Sequence, residues 1–277
     1  MPDSQKRLGP LFWICLGFIG LVVFGAIFAN VLPLPNPDAQ NYAAVNAGPS
    51  LHHLLGTDDL GRDLLSRIVF GSRVSLVVGF GGIAIGLAIG GTLGLVAGYR
   101  SGALDTVLNA GSFVILAFPP LLAIIVIVAF WGRSLPKLTL IIGIASIPSM
   151  FRVIRATTMS YANRDFVVAA RALGASNRRI IFRELLPNVA PAAISFALIG
   201  VAIIVVLEGS LAFLGLSVAL PTPSWGNIIY EGASNNNLQT NPFIALWPAL
   251  AMFLLLTSLN LVGDRLRSYF DVREGGL

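Results

Sequence analysis

Long uncharged runs alternate with short polar connections along the chain. Six runs contain no Asp, Glu, Lys or Arg: residues 11–32, 74–99, 107–131, 138–151, 189–207 and 243–263. A helix rising 1.5 Å per residue needs about 20 apolar residues to cross a hydrocarbon layer of about 30 Å. Five runs reach ordinary spanning length. The fourth is short and contains Pro148; it crosses only if Val153 and Ile154 extend it and Arg152 and Arg155 snorkel to an interface. The first run follows Lys6 and Arg7 as a secretory signal would, but its 22 residues exceed the 7–15 of a signal core, so it reads as a retained span.

Between the fourth and fifth runs lies DFVVAARALGASNRRIIFRELLPN, residues 165–188. Phe166, Ala169, Ala170 and Leu173 recur at helical spacing and form one face. Gly174 ends that short helix as a C′ glycine, Ser176 caps a second carrying Ile180, Ile181 and Leu185, and Pro187 stops it before the next span. The pair is small and apolar on one side and basic on the other, through Arg171, Arg178, Arg179 and Arg183. Such a surface suits a protein groove; a loop that binds lipid headgroups has the same composition.

Composition narrows the class. The chain of 277 residues is 56% hydrophobic and 11% charged, against about 25% charged in soluble domains. Its net charge of +5 does not indicate nucleic acid, because the basic residues punctuate apolar runs instead of clustering as a patch. With six spans and an inner N-terminus, thirteen of the eighteen Lys and Arg residues fall on the inner side. Five spans would put residues 165–188 outside and lose that bias. The expected fold is all-α and polytopic, with no internal repeat and no separate soluble domain. Residues 1–10 lie inside, 11–32 form the first span, 33–73 form an external loop, 74–263 form a five-helix core with an inner loop at 156–188, and 264–277 return inside.

The external loop closes with Leu60, Leu64, Leu65 and Ile68 at helical spacing, which predicts an amphipathic helix lying on the membrane surface. Residues 215–242 read as a turn-rich cap with Trp225 at the interface. Gly82, Gly86, Gly90 and Gly94 recur every fourth residue, the pattern of close helix packing in lipid, with a hinge as the alternative. Cys15 lies alone in the first run, so no disulfide framework exists. Glu208, the one acidic residue deep in an apolar run, is either a pathway group or a hydrogen-bonded structural carboxylate. His52 and His53 have no acidic or sulfur partner in the sequence pattern and make a weak metal pair. A Walker lysine is missing: Lys6 follows Gln5 and Lys137 follows Pro136, so the chain binds no ATP by that motif. Neither a catalytic nor a metal constellation appears in the sequence.

The 165–188 segment resembles the EAA loop of bacterial ABC-importer permeases, whose pattern is Glu-Ala-Ala, three residues, Gly, nine residues, Ile-x-Leu-Pro. Ala169, Ala170, Gly174, Leu186 and Pro187 match in register; Val168 and Glu184 replace the Glu and the Ile. LGTDDLGRDLLSRIVFGSRVSL, LEGSLAFLGL, PTPSWG and NLVGDRLR resemble, in order, the C-type permease of the dipeptide/oligopeptide/nickel family, with Ser217 where a third glycine is usual. That resemblance implies a type I ABC-importer permease in the bacterial cytoplasmic membrane, both termini cytoplasmic. It implies a heterodimer with a B-type permease, two cytoplasmic ATPases that hold ATP and Mg, and an extracytoplasmic binding protein. The chain itself would bind no cofactor and no metal. By the same resemblance, Ala169, Ala170, Arg171, Gly174, Ala175, Ser176, Arg179, Leu186 and Pro187 would couple to the ATPases. Peptides are the expected cargo, with nickel or another small solute as the alternative. A secondary carrier working alone would need ionisable residues near the midplane, and only Glu208 qualifies.

Overall fold

A computed structural model of the chain describes residues 8–234 and 237–274, with side chains up to Phe270. Lys6, Arg7 and the Arg273 side chain, which entered the charge count, lie outside the described residues. The helices are α1 (Gly9–Phe28), α2 (Leu64–Arg100), α3 (Ala103–Ala117), α4 (Pro120–Trp131), α5 (Leu135–Ala162), α6 (Asp165–Ala172), α7 (Asn177–Phe213), α8 (Trp225–Ala233), the single turn α9 (Asn237–Thr240) and α10 (Phe243–Glu274). Five of them, α1, α2, α5, α7 and α10, are long and apolar enough to cross a membrane. A sixth span is reached only by counting the bent pair α3 and α4 as one. α3 and α4 meet at an 80° bend, so the straight span expected over residues 107–131 is broken. Pro119 and Pro120 cause the break: they offer no N–H, and the residue before a proline is driven out of the helical region, as Phe118 is at ψ 134°.

Three further expectations change. The surface helix at the end of the external loop is instead the first turn of α2. Asp63 caps it by accepting the Ser66 N–H at 2.7 Å, and Leu64 and Ile68 point into the core. Its apolar face is covered by protein, so it continues into the span instead of lying flat. The short fourth span is a 28-residue helix that runs through Pro148. Arg155 does not snorkel alone: its guanidinium grips Asp105 of α3 through Nε and, at 2.6 Å, through Nη2. Arg152 lies 4.6 Å over the Phe113 ring. The cap at 215–242 contains α8, which returns into the bundle. Trp225 is 1% exposed and donates its indole N–H to the Ile68 carbonyl at 2.9 Å, away from any interface. Gly226 permits this, since a Cβ there would stand 2.7 Å from the Gly209 Cα.

The centre of the bundle is the contact of α2 with α5. A Cβ on Gly90 would stand 2.3 Å from the Ile147 carbonyl oxygen, and one on Gly94 or Gly98 would stand 2.7 Å from the Phe151 or Arg155 carbonyl oxygen. The glycine stripe thus lets two backbones touch, as the fourfold spacing predicts. Within α2 the helix widens into a π-turn at Leu87–Gly91, and α7 does the same at Ile180–Leu185. The second π-turn explains why Pro187 does not stop a helix. The Leu186 N–H reaches back five residues to the Ile181 carbonyl, and the widened ladder accommodates a residue without a donor.

At the end of the bundle where α2 begins, a buried ionic cluster joins the external loop to α8. Arg67, 0% exposed, lies 2.7 Å from Asp58 and 2.8 Å from Glu231; Arg62 lies 2.6 Å and 3.0 Å from the same two carboxylates. Burial pushes the Glu231 carboxyl above the usual range, and Arg67 and Arg62 oppose that rise.

Two outcomes follow. Gly90→Leu forces α2 and α5 apart and lowers stability by about 1–3 kcal/mol in detergent denaturation, whereas Gly17→Ala, which meets nothing within 4 Å, leaves it unchanged. Arg67→Met leaves Arg62 alone to balance Asp58 and Glu231 and costs about 3 kcal/mol in the same assay, and adding Glu231→Gln recovers much of the loss.

Candidate functional site

The segment 165–188 folds as a helix, a glycine and a helix. α6 ends at Leu173, and Gly174 takes φ +80°, a left-handed conformation that suits glycine. Ser176 caps α7 by accepting the Arg179 N–H. Val167, 0% exposed, anchors α6 into a small core with Leu95, Ile154, Tyr161 and Ile180. Phe166, Ala170 and Ala175 pack at its edge. Ala169 is exposed and Leu173 is 87% exposed, so of the face expected from helical spacing these two point outward while Phe166 and Ala170 pack partly inward. An eight-residue helix has room for one strong anchor, and Val167 takes it.

Two contacts tie this loop to the end of α2. Tyr99 donates its hydroxyl to Asn177 Oδ1 at 2.8 Å, and Arg171 lies 5.7 Å over the Tyr99 ring. Gly174, Ser176 and Arg179 are exposed beside Leu173, forming a tip with apolar and basic character. Leu186 and Pro187 stand apart from that tip, in the first turns of α7 beyond the π-turn. Val168, where the resembled pattern has a glutamate, is exposed and apolar.

Near mid-length of α2, α5 and α7, a cavity of about 120 Å³ is lined by Ile83, Ile142, Ser146, Ser149, Gly200 and Pro120. The α3–α4 elbow therefore sits at the depth of the span midpoints. The outward faces of α3 and α4 carry Val107, Val114, Phe118, Val126 and Phe130, all more than half exposed. Sequence reading missed this elbow, although a Pro-Pro pair in the middle of an apolar run is a breaker signal.

Glu208 is wholly buried in α7. It accepts the Ser217 hydroxyl at 2.5 Å and the Ser75 hydroxyl at 3.2 Å, the geometry of a buried, hydrogen-bonded carboxylate. Ser217, the departure from the usual glycine, is thus one of its partners. His53 lies 2.9 Å from Asp63 through Nδ1, and His52 is exposed. Among the described residues no three His, Cys, Asp or Glu side chains converge as a metal site. The ionic cluster of Asp58, Arg62, Arg67 and Glu231 was also missed. The run DDLGRDLLSR carried its near half, but Glu231 is remote in sequence.

Comparison with known proteins gives this geometry its context. Residues 90–275 match the family described as binding-protein-dependent transport system inner membrane component. The chain is 37% identical to the glutathione transport system permease protein GsiD of Pectobacterium atrosepticum, covering 92% of this chain and 84% of that one. It is 36% identical to the dipeptide transport system permease protein DppC of Alkalihalophilus pseudofirmus, covering 92% and 85%. The fold resembles a chain of the MetNI methionine ABC transporter in an inward-facing conformation, with TM-score 0.61 at 19% identity, covering 74% of this chain and 97% of that one. The chain belongs to the family of binding-protein-dependent inner-membrane transport components: it is a multi-pass permease subunit of an ABC importer, and its place is in transport, not in catalysis.

Proposed function

We propose that this permease carries small peptides inward and that the loop tip at Ala169–Arg179 receives a cytoplasmic ATPase. The observation that carries the reading is Leu173, an apolar side chain almost fully exposed at the tip of a rigidly seated loop, beside Ala169, Gly174 and Arg179. A polar solvent-facing loop has no physical reason to present such a residue; a groove on a partner supplies one. Ala170, Arg171, Ala175 and Ser176 hold the tip's shape, and Leu186 with Pro187 hand its motion to the span. The tip end of the bundle then faces the cytoplasm with both termini, and ATP with Mg is held by the ATPases.

The pairing with a second, B-type permease uses the apolar outer faces of α3 and α4. Broken backbone at membrane depth is tolerated where protein or an aqueous cavity covers it, and the elbow at Pro119–Pro120 meets that condition between two permeases. A binding protein delivers cargo at the opposite end, over α8 and the ionic cluster. ATPase closure moves α6, the Val167 seat passes that movement to α2 and α5, and α7 carries it along the bundle. Small peptides are the favoured cargo because relatives at 36–37% identity are named for glutathione and dipeptides, both short peptides or peptide-like.

Leu173→Asp and Gly174→Trp test the docking tip in the complete transporter. Burying a leucine contributes about 1.5–3 kcal/mol, so ATPase co-purification falls about tenfold or more. Unchanged ATPase recovery in both variants sinks the docking role. In vesicles holding the whole assembly, labelled dipeptide accumulates only with ATP and binding protein; accumulation of nickel with no dipeptide uptake overturns the cargo.

A further inference from the structure

Between α2 and α7, at the end that carries the loop tip, runs an apolar groove of about 390 Å³. Leu87, Leu95, Phe182 and Val189 wall it, and Arg100 and Arg178 stand at its mouth. Both π-turns of the chain line this groove, Leu87–Gly91 from one side and Ile180–Leu185 from the other. π-Turns concentrate at functional sites, and here they shape the facing walls of one groove.

We infer that this groove binds an anionic phospholipid of the leaflet on the loop-tip side, one acyl chain along the walls and the phosphate between Arg100 and Arg178. Length supports this assignment. From Leu87 to Arg100 the helix rises about 20 Å, and one leaflet, headgroups included, is about 20–22 Å deep.

Charge decides the headgroup. Neither Arg100 nor Arg178 makes an ion pair among the described residues, and no acidic side chain lines the groove. Arg179 and Arg183 line a shallow hollow that Arg178 shares with the mouth, again without a carboxylate. A guanidinium offers a planar fork of donors that matches phosphate, and the nearby arginines repel a headgroup carrying its own cation. The site does not depend on the cargo; Arg178 belongs to the 169–179 tip proposed to receive the ATPase, whereas Arg100 and Val96 lie on α2, outside it.

Native mass spectrometry of the complete transporter tests it, with phosphatidylglycerol and phosphatidylcholine as probes. The wild-type assembly keeps phosphatidylglycerol through delipidation and releases phosphatidylcholine. Arg100→Gln, outside the proposed ATPase-docking tip, weakens phosphatidylglycerol retention about fivefold, at about 1 kcal/mol for the arginine, with the ATPases still attached. Val96→Trp, which fills the groove and keeps both arginines, also loses the lipid. Equal retention of the two lipids, or unchanged phosphatidylglycerol in both variants, overturns the site. So does a photo-crosslinker at Val96 that captures another protein chain instead of lipid.

Discussion

The whole bundle depends on two helix backbones touching. α2 and α5 approach so closely along Gly90, Gly94 and Gly98 that carbonyl oxygens of one fill the space where side chains of the other would stand. In lipid no hydrophobic force drives helices together, since the solvent is as apolar as the side chains; close van der Waals contact must do so. α7 is held against this pair by Gly79 and Gly200, which receive Val205 and Ile83. Every other element is arranged around that triad. α8 is pressed in through Gly226 and Gly232, and α3 is clamped by the Asp105–Arg155 pair.

The two ends of the bundle solve different problems. At the end where α2 begins, charge is buried and matched, with Arg62 and Arg67 shared between Asp58 and Glu231. That arrangement fixes the external loop to α8 and leaves little freedom. At the other end, charge is left open and a loop is seated on one valine. Val167 and the Tyr99 contacts hold the loop in place without covering its tip. Because α7 continues from the loop to Phe213 through the π-turn, no flexible joint lies between the tip and the far end of the bundle.

Much of this was legible in the sequence. Uncharged runs located most of the spans, the glycine interval located the central contact, and Ala169, Ala170, Gly174 and Ser176 marked out the helix–glycine–helix segment. Local pattern failed where a remote partner decided the outcome. Leu64 and Ile68 read as a surface stripe because the protein that covers them, including Trp225, is more than 150 residues away. Arg155 looked like a snorkelling end because Asp105 is on another helix. Val167 was not singled out as the anchor because an eight-residue helix has too few turns for periodicity to fix which residue is buried. Pro187 misled because the π-turn before it has no sequence signature.

The elbow between α3 and α4 has one more consequence. Pro119 and Pro120 deprive the carbonyls of Ile115 and Leu116 of their helical donors, and only Ile115 recovers a backbone partner, from the Phe118 N–H. An exposed peptide dipole near the centre of a bilayer draws water or polar groups towards it, because leaving it dry costs several kcal/mol. The apolar slab is therefore thinned electrically at this depth, beside Ser146 and Ser149. The elbow thus sets backbone carbonyls without helical donors beside the Ser146 and Ser149 hydroxyls, where the chain itself breaks the continuity of apolar surface.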